Sequence, residues 1–131
     1  MGKRVLWPRA RGARRTLALG LARLGAQVDE LPLYTAAVPK EADAEALERL
    51  RAGEIDVVTF ASSSAVRNLA KLLGDDLSLL EKTVIACIGP VTARAARRLG
   101  LRVDVEASEH TVEGLVNELT QSPRARERRD E

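Results

Sequence analysis

The chain has 131 residues, of which 45% are hydrophobic, 31% charged and 2% aromatic, and its formal net charge is +2. This length and composition are typical of one soluble domain with an aliphatic core, and so small a net charge argues against nucleic acid as the main partner. Cys87 is the single cysteine, which excludes an intramolecular disulfide or a cysteine metal cluster and favours a reducing cytoplasm. We expect neither a signal peptide nor a membrane helix, because no apolar run approaches the ~20 residues needed to span a bilayer.

Hydrophobic periodicity predicts five β-strands that alternate with five α-helices. The strands are expected at residues 4–7, 26–34, 55–60, 83–88 and 102–106, and the helices at residues 13–24, 41–51, 64–73, 91–99 and 111–119. A short helical turn is expected at residues 77–80. Because proline has no N–H, Pro8 is predicted to end the first strand and Pro32 to place the second strand at a sheet edge. Residues 35–39 are interpreted as a linker, residues 1–122 as a single domain and residues 123–131 as a charged, disordered tail.

Strands that alternate with helices predict an α/β fold, with a parallel sheet between two helical layers. For five strands we expect a flavodoxin-like three-layer sandwich of strand order 2-1-3-4-5. The strands at residues 55–60 and 83–88 are almost continuously apolar, which is typical of central strands covered on both faces. In this order the loops at residues 8–12 and 61–64 flank one crevice, with the loop at residues 89–92 beside them.

The polar groups of these three loops predict an anion site, because N–H groups at helix starts attract negative charge. The main-chain N–H groups expected to donate to phosphate or carboxylate oxygens are those of Ser63, Ser64, Val91 and Thr92. Arg9 is expected to add positive charge. In the alternative interpretation, Ser62, Ser63, Ser64 and Thr92 are only helix N-caps, and Arg9 is a solvated loop residue.

Several common sites are excluded by the motifs that the sequence lacks. It contains no GxGxxG, no Walker lysine loop and no HExxH, and its only histidine, His110, is expected at the surface before the last helix. Flavin binding by aromatic stacking is not expected, since Trp7, Tyr34 and Phe60 are the only aromatic residues. These absences argue against the common phosphate-loop, zinc-protease and flavin sites.

Five sequence blocks, in order, resemble uroporphyrinogen-III synthase, and more specifically its C-terminal half. The blocks are GKRVLWPRA, GAQVDELPLY, IDVVTFASSSAV, ACIGPVTA and TVEGLV, and the resemblance extends over residues 3–119. It implies a cofactor-independent lyase of porphyrin, tetrapyrrole and heme biosynthesis. Such an enzyme takes the linear tetrapyrrole hydroxymethylbilane, removes its terminal hydroxyl as water, inverts ring D and closes the macrocycle to uroporphyrinogen III.

The resemblance also assigns roles to particular residues. Tyr34 matches a tyrosine near the family's cleft that is proposed to help the hydroxyl leave as general acid. The positions that match the part of the cleft that holds acetate and propionate groups are Ser62, Ser63, Gly89, Thr92 and Thr111.

Members of the resembled family are about twice as long and have two domains, with the chain crossing between them where residues 35–39 fall here. We therefore expect this half to be inactive or weak by itself. Two arrangements are open: the first β-α-β segment folds back to complete one domain, or it exchanges between two chains in a domain-swapped homodimer. The alternative function is a non-catalytic flavodoxin-like module that binds a small anion or a partner chain. Nucleic-acid binding through the arginines is the least favoured reading, and no membrane partner is expected.

Overall fold

The computed structural model describes residues 2–35, 37–38 and 43–127. The chain divides into two compact units, Met1–Ala37 and Val38–Glu131, each with its own parallel sheet. Part of the predicted linker, at residues 36 and 39, lies outside the described residues. So do the predicted start of the second helix at residue 41 and the end of the tail, residues 128–131.

The first unit is a β-α-β segment. It contains strand β1 (Arg4–Ala10), helix α1 (Thr16–Arg23) and strand β2 (Gln27–Tyr34). The two strands are parallel, with Val5 opposite Val28 and Trp7 opposite Glu30. After α1 the chain turns at Gly25, whose φ of 85° lies in the left-handed region that glycine adopts without strain.

The first strand continues past Pro8, so the prediction that Pro8 ends it is wrong. Gln27 donates its N–H to the Lys3 carbonyl at 2.9 Å. In a parallel ladder, only every second residue of a strand points its N–H group at a given neighbouring strand. Counted from this bond, the N–H position of residue 8 points away from β2, so proline costs no hydrogen bond there. Pro32 occupies the equivalent outward position on β2. Each outer edge of this two-stranded sheet therefore carries a proline.

Within its described residues, the second unit has three strands and five helices. Its elements are α2 (Ala44–Arg51), β3 (Val57–Phe60), α3 (Ser63–Leu72), a 3-10 turn (Leu77–Leu80), β4 (Val84–Cys87), α4 (Pro90–Arg98), β5 (Val105–Glu106), α5 (Val112–Gln121) and α6 (Pro123–Glu127). All four residues of β4 are buried. Ile85 and Cys87 pack in a cluster with residues of α2, α3 and α4, whereas Val84 and Ala86 pack with Leu115 of α5. Because strand side chains alternate between faces, helices cover β4 on both sides.

The predicted α/β class with parallel strands is confirmed, but the five-stranded sheet of order 2-1-3-4-5 is wrong. β1 pairs with β2 in one sheet, and β3, β4 and β5 form a second sheet in that order. β3 is therefore an edge strand of its sheet, whereas the sequence predicted a central one. Pro8 supplies a physical reason, since the predicted order requires the outer edge of β1 to pair with β3, and that edge lacks a donor in its middle.

The last strand is shorter than predicted because a side chain replaces part of its ladder. Asp104 donates its N–H to the Ile85 carbonyl at 2.9 Å, and its own carboxylate Oδ2 accepts the Ile85 N–H at 2.9 Å. A main-chain carbonyl of β5 would normally occupy that position. Consequently the regular strand covers only Val105–Glu106.

The same carboxylate fixes the start of the charged tail. Asp104 Oδ1 forms a salt bridge with Arg102, whose Nε lies 2.9 Å away, and accepts a hydrogen bond from Arg124 Nη1; only 4% of the Asp104 side chain is exposed. Arg124 lies in α6 (Pro123–Glu127), at the start of the segment that the sequence assigns to a charged tail.

Candidate functional site

The carboxyl ends of three neighbouring parallel strands form one edge of the second unit's sheet. Phe60, at the end of β3, lies opposite Cys87 at the end of β4, and Cys87 lies opposite Glu106 at the end of β5. The ladder continues to the loops, because Ile88 donates to the Phe60 carbonyl and Ala107 to the Cys87 carbonyl, each at 3.0 Å. The loops β3–α3, β4–α4 and β5–α5 thus leave the sheet at this edge, where α3 and α4 begin on one face of the sheet and α5 begins on the other.

The β3–α3 loop ends in a serine cap. Ser62 Oγ accepts the Ala65 N–H at 3.1 Å and lies 3.1 Å from Ser64 Oγ. Ser62 therefore has the N-cap role that the alternative interpretation gave it. The N–H groups of Ser63 and Ser64 belong to the first turn of α3, where the helix itself supplies no acceptor.

The β4–α4 loop has no side chain that could cap its helix. Gly89 is the N-cap and Pro90, which has no N–H, occupies the first helical position. The first main-chain donors are therefore those of Val91 and Thr92. The side chain of Thr92 is itself buried, with 4% of the residue exposed, so this position offers an N–H group more readily than a hydroxyl.

The β5–α5 loop, residues 107–111, is held by two close approaches to glycine. Thr111 Oγ1 caps α5 by accepting the Gly114 N–H at 3.0 Å. A Cβ on Gly114 would come closer than 3.0 Å to the carbonyl oxygen of Glu109, a distance that real Cβ atoms do not show. A Cβ on Gly89 would lie 3.2 Å from Cγ and Cδ2 of His110. The imidazole of His110 therefore packs directly on the start of α4.

Two predicted site residues, Arg9 and Tyr34, belong to the first unit. Arg9 Nε donates to Glu30 at 2.8 Å, and Arg9 Nη1 donates to the carbonyls of Ala10 at 2.9 Å and Arg11 at 2.8 Å. Only 15% of the Arg9 side chain is exposed. Tyr34, at the end of β2, is 63% exposed.

Internal ion pairs also lower the pKa of Glu30 in the first unit. Burial, the largest single effect, raises the pKa of Glu30, but the pairs with Arg15 and Arg9 together hold that pKa below its usual value. The Arg9 guanidinium lies 5.7 Å from the ring centroid of Trp7. Arg9 is therefore occupied by neighbours in its own unit, which its sequence position did not reveal.

The structure thus brings together the loop residues of the second unit. These residues are Ser62, Ser63, Ser64, Gly89, Val91, Thr92 and Thr111. The strand order that placed a crevice between loops 8–12 and 61–64 is wrong, because β1 and β3 belong to different sheets; the crevice itself stays a prediction. The binding roles of all these residues stay predictions.

Sequence reasoning missed the close contact of His110 with this edge. A glycine before Pro90, and a second glycine inside the first turn of α5, are weak signals of a close approach in the sequence. The nature of the approaching group becomes visible only in the folded chain.

A cavity of about 320 Å³ lies at the opposite edge of the same sheet. Its lining includes Thr83, which precedes β4, and Leu101, which precedes β5, so it opens at the amino-terminal ends of the strands. The predicted anion site and this cavity are therefore different parts of the second unit.

Among residues 2–35, 37–38 and 43–127, no group of three or more His, Cys, Asp or Glu side chains is arranged to hold a metal ion. No helix in the same ranges combines the length and apolar character needed to cross a bilayer. Cys87 is fully buried, and this burial raises the pKa of its thiol to about 11.

The fold and the loop cluster define a class of protein: an α/β protein with parallel sheets and three helix starts along one sheet edge. The sequence profile of the family described as Uroporphyrinogen-III synthase HemD matches residues 1–117. The chain belongs to the uroporphyrinogen-III synthase family, which acts on a tetrapyrrole and serves porphyrin and heme biosynthesis.

Individual relatives agree with this assignment. The chain is 35% identical over 126 residues to the uroporphyrinogen-III synthase of Synechococcus elongatus, covering 92% of this chain and 48% of the relative. It is 32% identical over 127 residues to a Methanothermobacter thermautotrophicus protein that provisionally carries the same name, covering 92% and 50%. The synthase of Chlorobaculum parvum is 30% identical over 98 residues, which cover 70% of this chain and 39% of that protein. The chain thus spans about half the length of the first two relatives.

Proposed function

We propose that this chain forms a carboxylate-binding wall of a uroporphyrinogen-III synthase site. The reaction is the cyclisation of hydroxymethylbilane to uroporphyrinogen III, with inversion of ring D and loss of water. One observation carries the proposal: three helices of the second unit begin along one edge of a parallel sheet. Acetate and propionate side chains are anions, and helix starts of this kind favour anions.

Main-chain donors are the principal ligands in this proposal. The donors are the N–H groups of Ser63, Ser64, Val91 and Thr92. Charge-assisted hydrogen bonds from such groups to a carboxylate are roughly twice as strong as neutral ones. The hydroxyls of Ser62 and Thr111 already accept helix N–H groups, and each can still donate its own hydrogen to a carboxylate oxygen.

Tyr34 is proposed as the general acid that protonates the departing hydroxyl. Its exposure of 63% leaves it accessible to substrate. Arg9 has the weaker claim to a substrate contact, because three internal hydrogen bonds already occupy its Nε and Nη1 donors. Replacing Tyr34 with Phe tests the acid role separately, since it removes the phenolic proton and preserves the ring.

The direct test is incubation with hydroxymethylbilane followed by separation of the products. Uroporphyrinogen III supports the proposed activity, whereas uroporphyrinogen I alone, the spontaneous product, contradicts it. We expect weak turnover, because the chain spans about half the length of relatives that bear the enzyme's name. A cytoplasmic location is part of the same proposal and is tested by cell fractionation.

A non-catalytic anion-binding module is the second candidate. It is favoured because Ser62 and Thr111 serve as helix caps, which leaves main-chain N–H groups as the principal donors. Such N–H groups bind any small oxyanion. Thermal-shift measurements with phosphate, a simple polycarboxylate and uroporphyrinogen III separate the two candidates. Stabilisation by the tetrapyrrole alone supports the synthase, and equal stabilisation by all three supports the module.

A further inference from the structure

The imidazole of His110 lies against the start of α4. A Cβ built on Gly89 has its three nearest heavy atoms in this ring, with Cγ and Cδ2 at 3.2 Å and Nε2 at 3.6 Å. Gly89 is buried whereas His110 is exposed. One face of the ring is therefore covered by the N-cap residue of α4, and the rest of the side chain is open to solvent.

The main chain that carries His110 is fixed on both sides. Ser108 Oγ donates to Glu118 at 2.9 Å, and the Thr111 N–H donates to the Glu109 carbonyl at 2.9 Å. That carbonyl in turn packs on Gly114, where no larger residue fits. The place of the imidazole is thus set by its loop, and a change at Gly89 would displace the ring without unfolding the loop.

We propose that His110 is a specificity-determining residue that binds a carboxylate of the tetrapyrrole, and that Gly89 is its positioning residue. The inference rests on the proposed function. An imidazole N–H beside first-turn N–H groups provides a side-chain donor for the same carboxylate. Ser62 and Thr111 act as helix caps, whereas His110 is an exposed side chain at this edge that supplies a ring N–H.

The first test removes the ring N–H donor of His110 but keeps an aromatic ring at this position. His110→Phe preserves packing on Gly89 and removes both ring nitrogens, so binding of uroporphyrinogen III by the full chain should weaken about ten-fold with Tm unchanged. Val116→Ala, at an exposed position of α5, is the matched control and should bind like the wild type. A Kd for His110→Phe within two-fold of the wild type overturns the inference. Absence of binding by the wild type overturns the proposed function, and the inference with it.

The second test is a double-mutant cycle on Kd. Gly89→Ala should weaken binding several-fold in the wild type, because the added methyl group pushes the ring aside. In the His110→Ala background the same change should have no further effect, since the three atoms that the methyl group meets are gone. An equal effect of Gly89→Ala in both backgrounds contradicts the positioning role.

Discussion

Removal of the Asp104 carboxylate is the sharpest test of how the second unit is held together. The carboxylate replaces a ladder carbonyl opposite Ile85 and also forms salt bridges with Arg102 and Arg124. Asp104→Ala leaves the Ile85 N–H without its acceptor inside a fully buried strand. We expect this substitution to destabilise the unit more than any surface charge change.

The magnitude follows from the burial of each partner. An unsatisfied buried N–H costs about 1–3 kcal/mol. Arg102 and Arg124 are 60% and 41% exposed, so water resolvates them and each lost ion pair costs only about 0.2–1 kcal/mol. Asp104→Ala should therefore lower the free energy of unfolding by about 1.4–5 kcal/mol. Asp104→Asn should cost about 1 kcal/mol, because the amide oxygen still accepts from Ile85.

Urea unfolding followed by far-UV circular dichroism measures both values, and amide hydrogen exchange reports on Ile85 directly. The matched control is Glu106→Ala, which removes another acid near the same strand. Its pair with Arg97 is 3.3 Å long and partly exposed, so we expect a loss below about 1 kcal/mol. The reasoning is refuted if Asp104→Ala costs no more than Glu106→Ala, or if the Ile85 amide remains equally protected from exchange.

Three further predictions concern other parts of the chain. Gly114→Ala should destabilise by more than about 2 kcal/mol despite the better helix propensity of alanine, because its methyl group collides with a carbonyl. A Cβ on Gly20 in α1 has no neighbour within 4 Å, so Gly20→Ala should stabilise by up to about 1 kcal/mol. Chemical denaturation measures the free energy of unfolding of both variants, and a change of the same sign in both would contradict the reasoning. The lowered pKa of Glu30 stabilises the first unit above about pH 4.3, and this stabilisation is lost as the pH falls further. Glu30→Gln should therefore make the stability of the first unit less dependent on pH in this acid range, which an acid titration followed by tryptophan fluorescence measures. The Cys87 thiol, with its pKa raised to about 11, should resist a thiol reagent at pH 8 until urea is added, and rapid native labelling would contradict its burial.

The positions of the predicted site residues within the fold could partly be predicted from sequence, because they depend on the order of strand, loop and helix along the chain. A strand followed by small polar residues and a helix places those residues at a strand's carboxyl end, and this located Ser62, Gly89 and Thr111. Their assembly along one edge required β3, β4 and β5 to be neighbours, which the predicted order also contained. The strand order failed at β1, because periodicity does not report which strand pairs with which.

The occupied state of Arg9 illustrates why side-chain roles were harder to predict. Its partner Glu30 is 21 residues away and lies on the neighbouring strand. A register of parallel strands brings the two side chains together, and a sequence pattern gives the face of a residue but not its opposite neighbour. Arg9, which one interpretation of the sequence treated as a solvated loop residue, therefore forms an internal ion pair with Glu30.

The sequence by itself determined the α/β class, the positions of most strands and helices, and the burial of β4. These features depend on side-chain periodicity and on caps within a few residues of one another, which are written directly in the chain. Only the tertiary structure decided that β1 pairs with β2 alone, that the Asp104 carboxylate completes the ladder at Ile85, and that His110 packs on Gly89. Each of these contacts joins residues about 20 positions apart, and its geometry depends on the folded sheet that brings them within hydrogen-bonding or van der Waals distance.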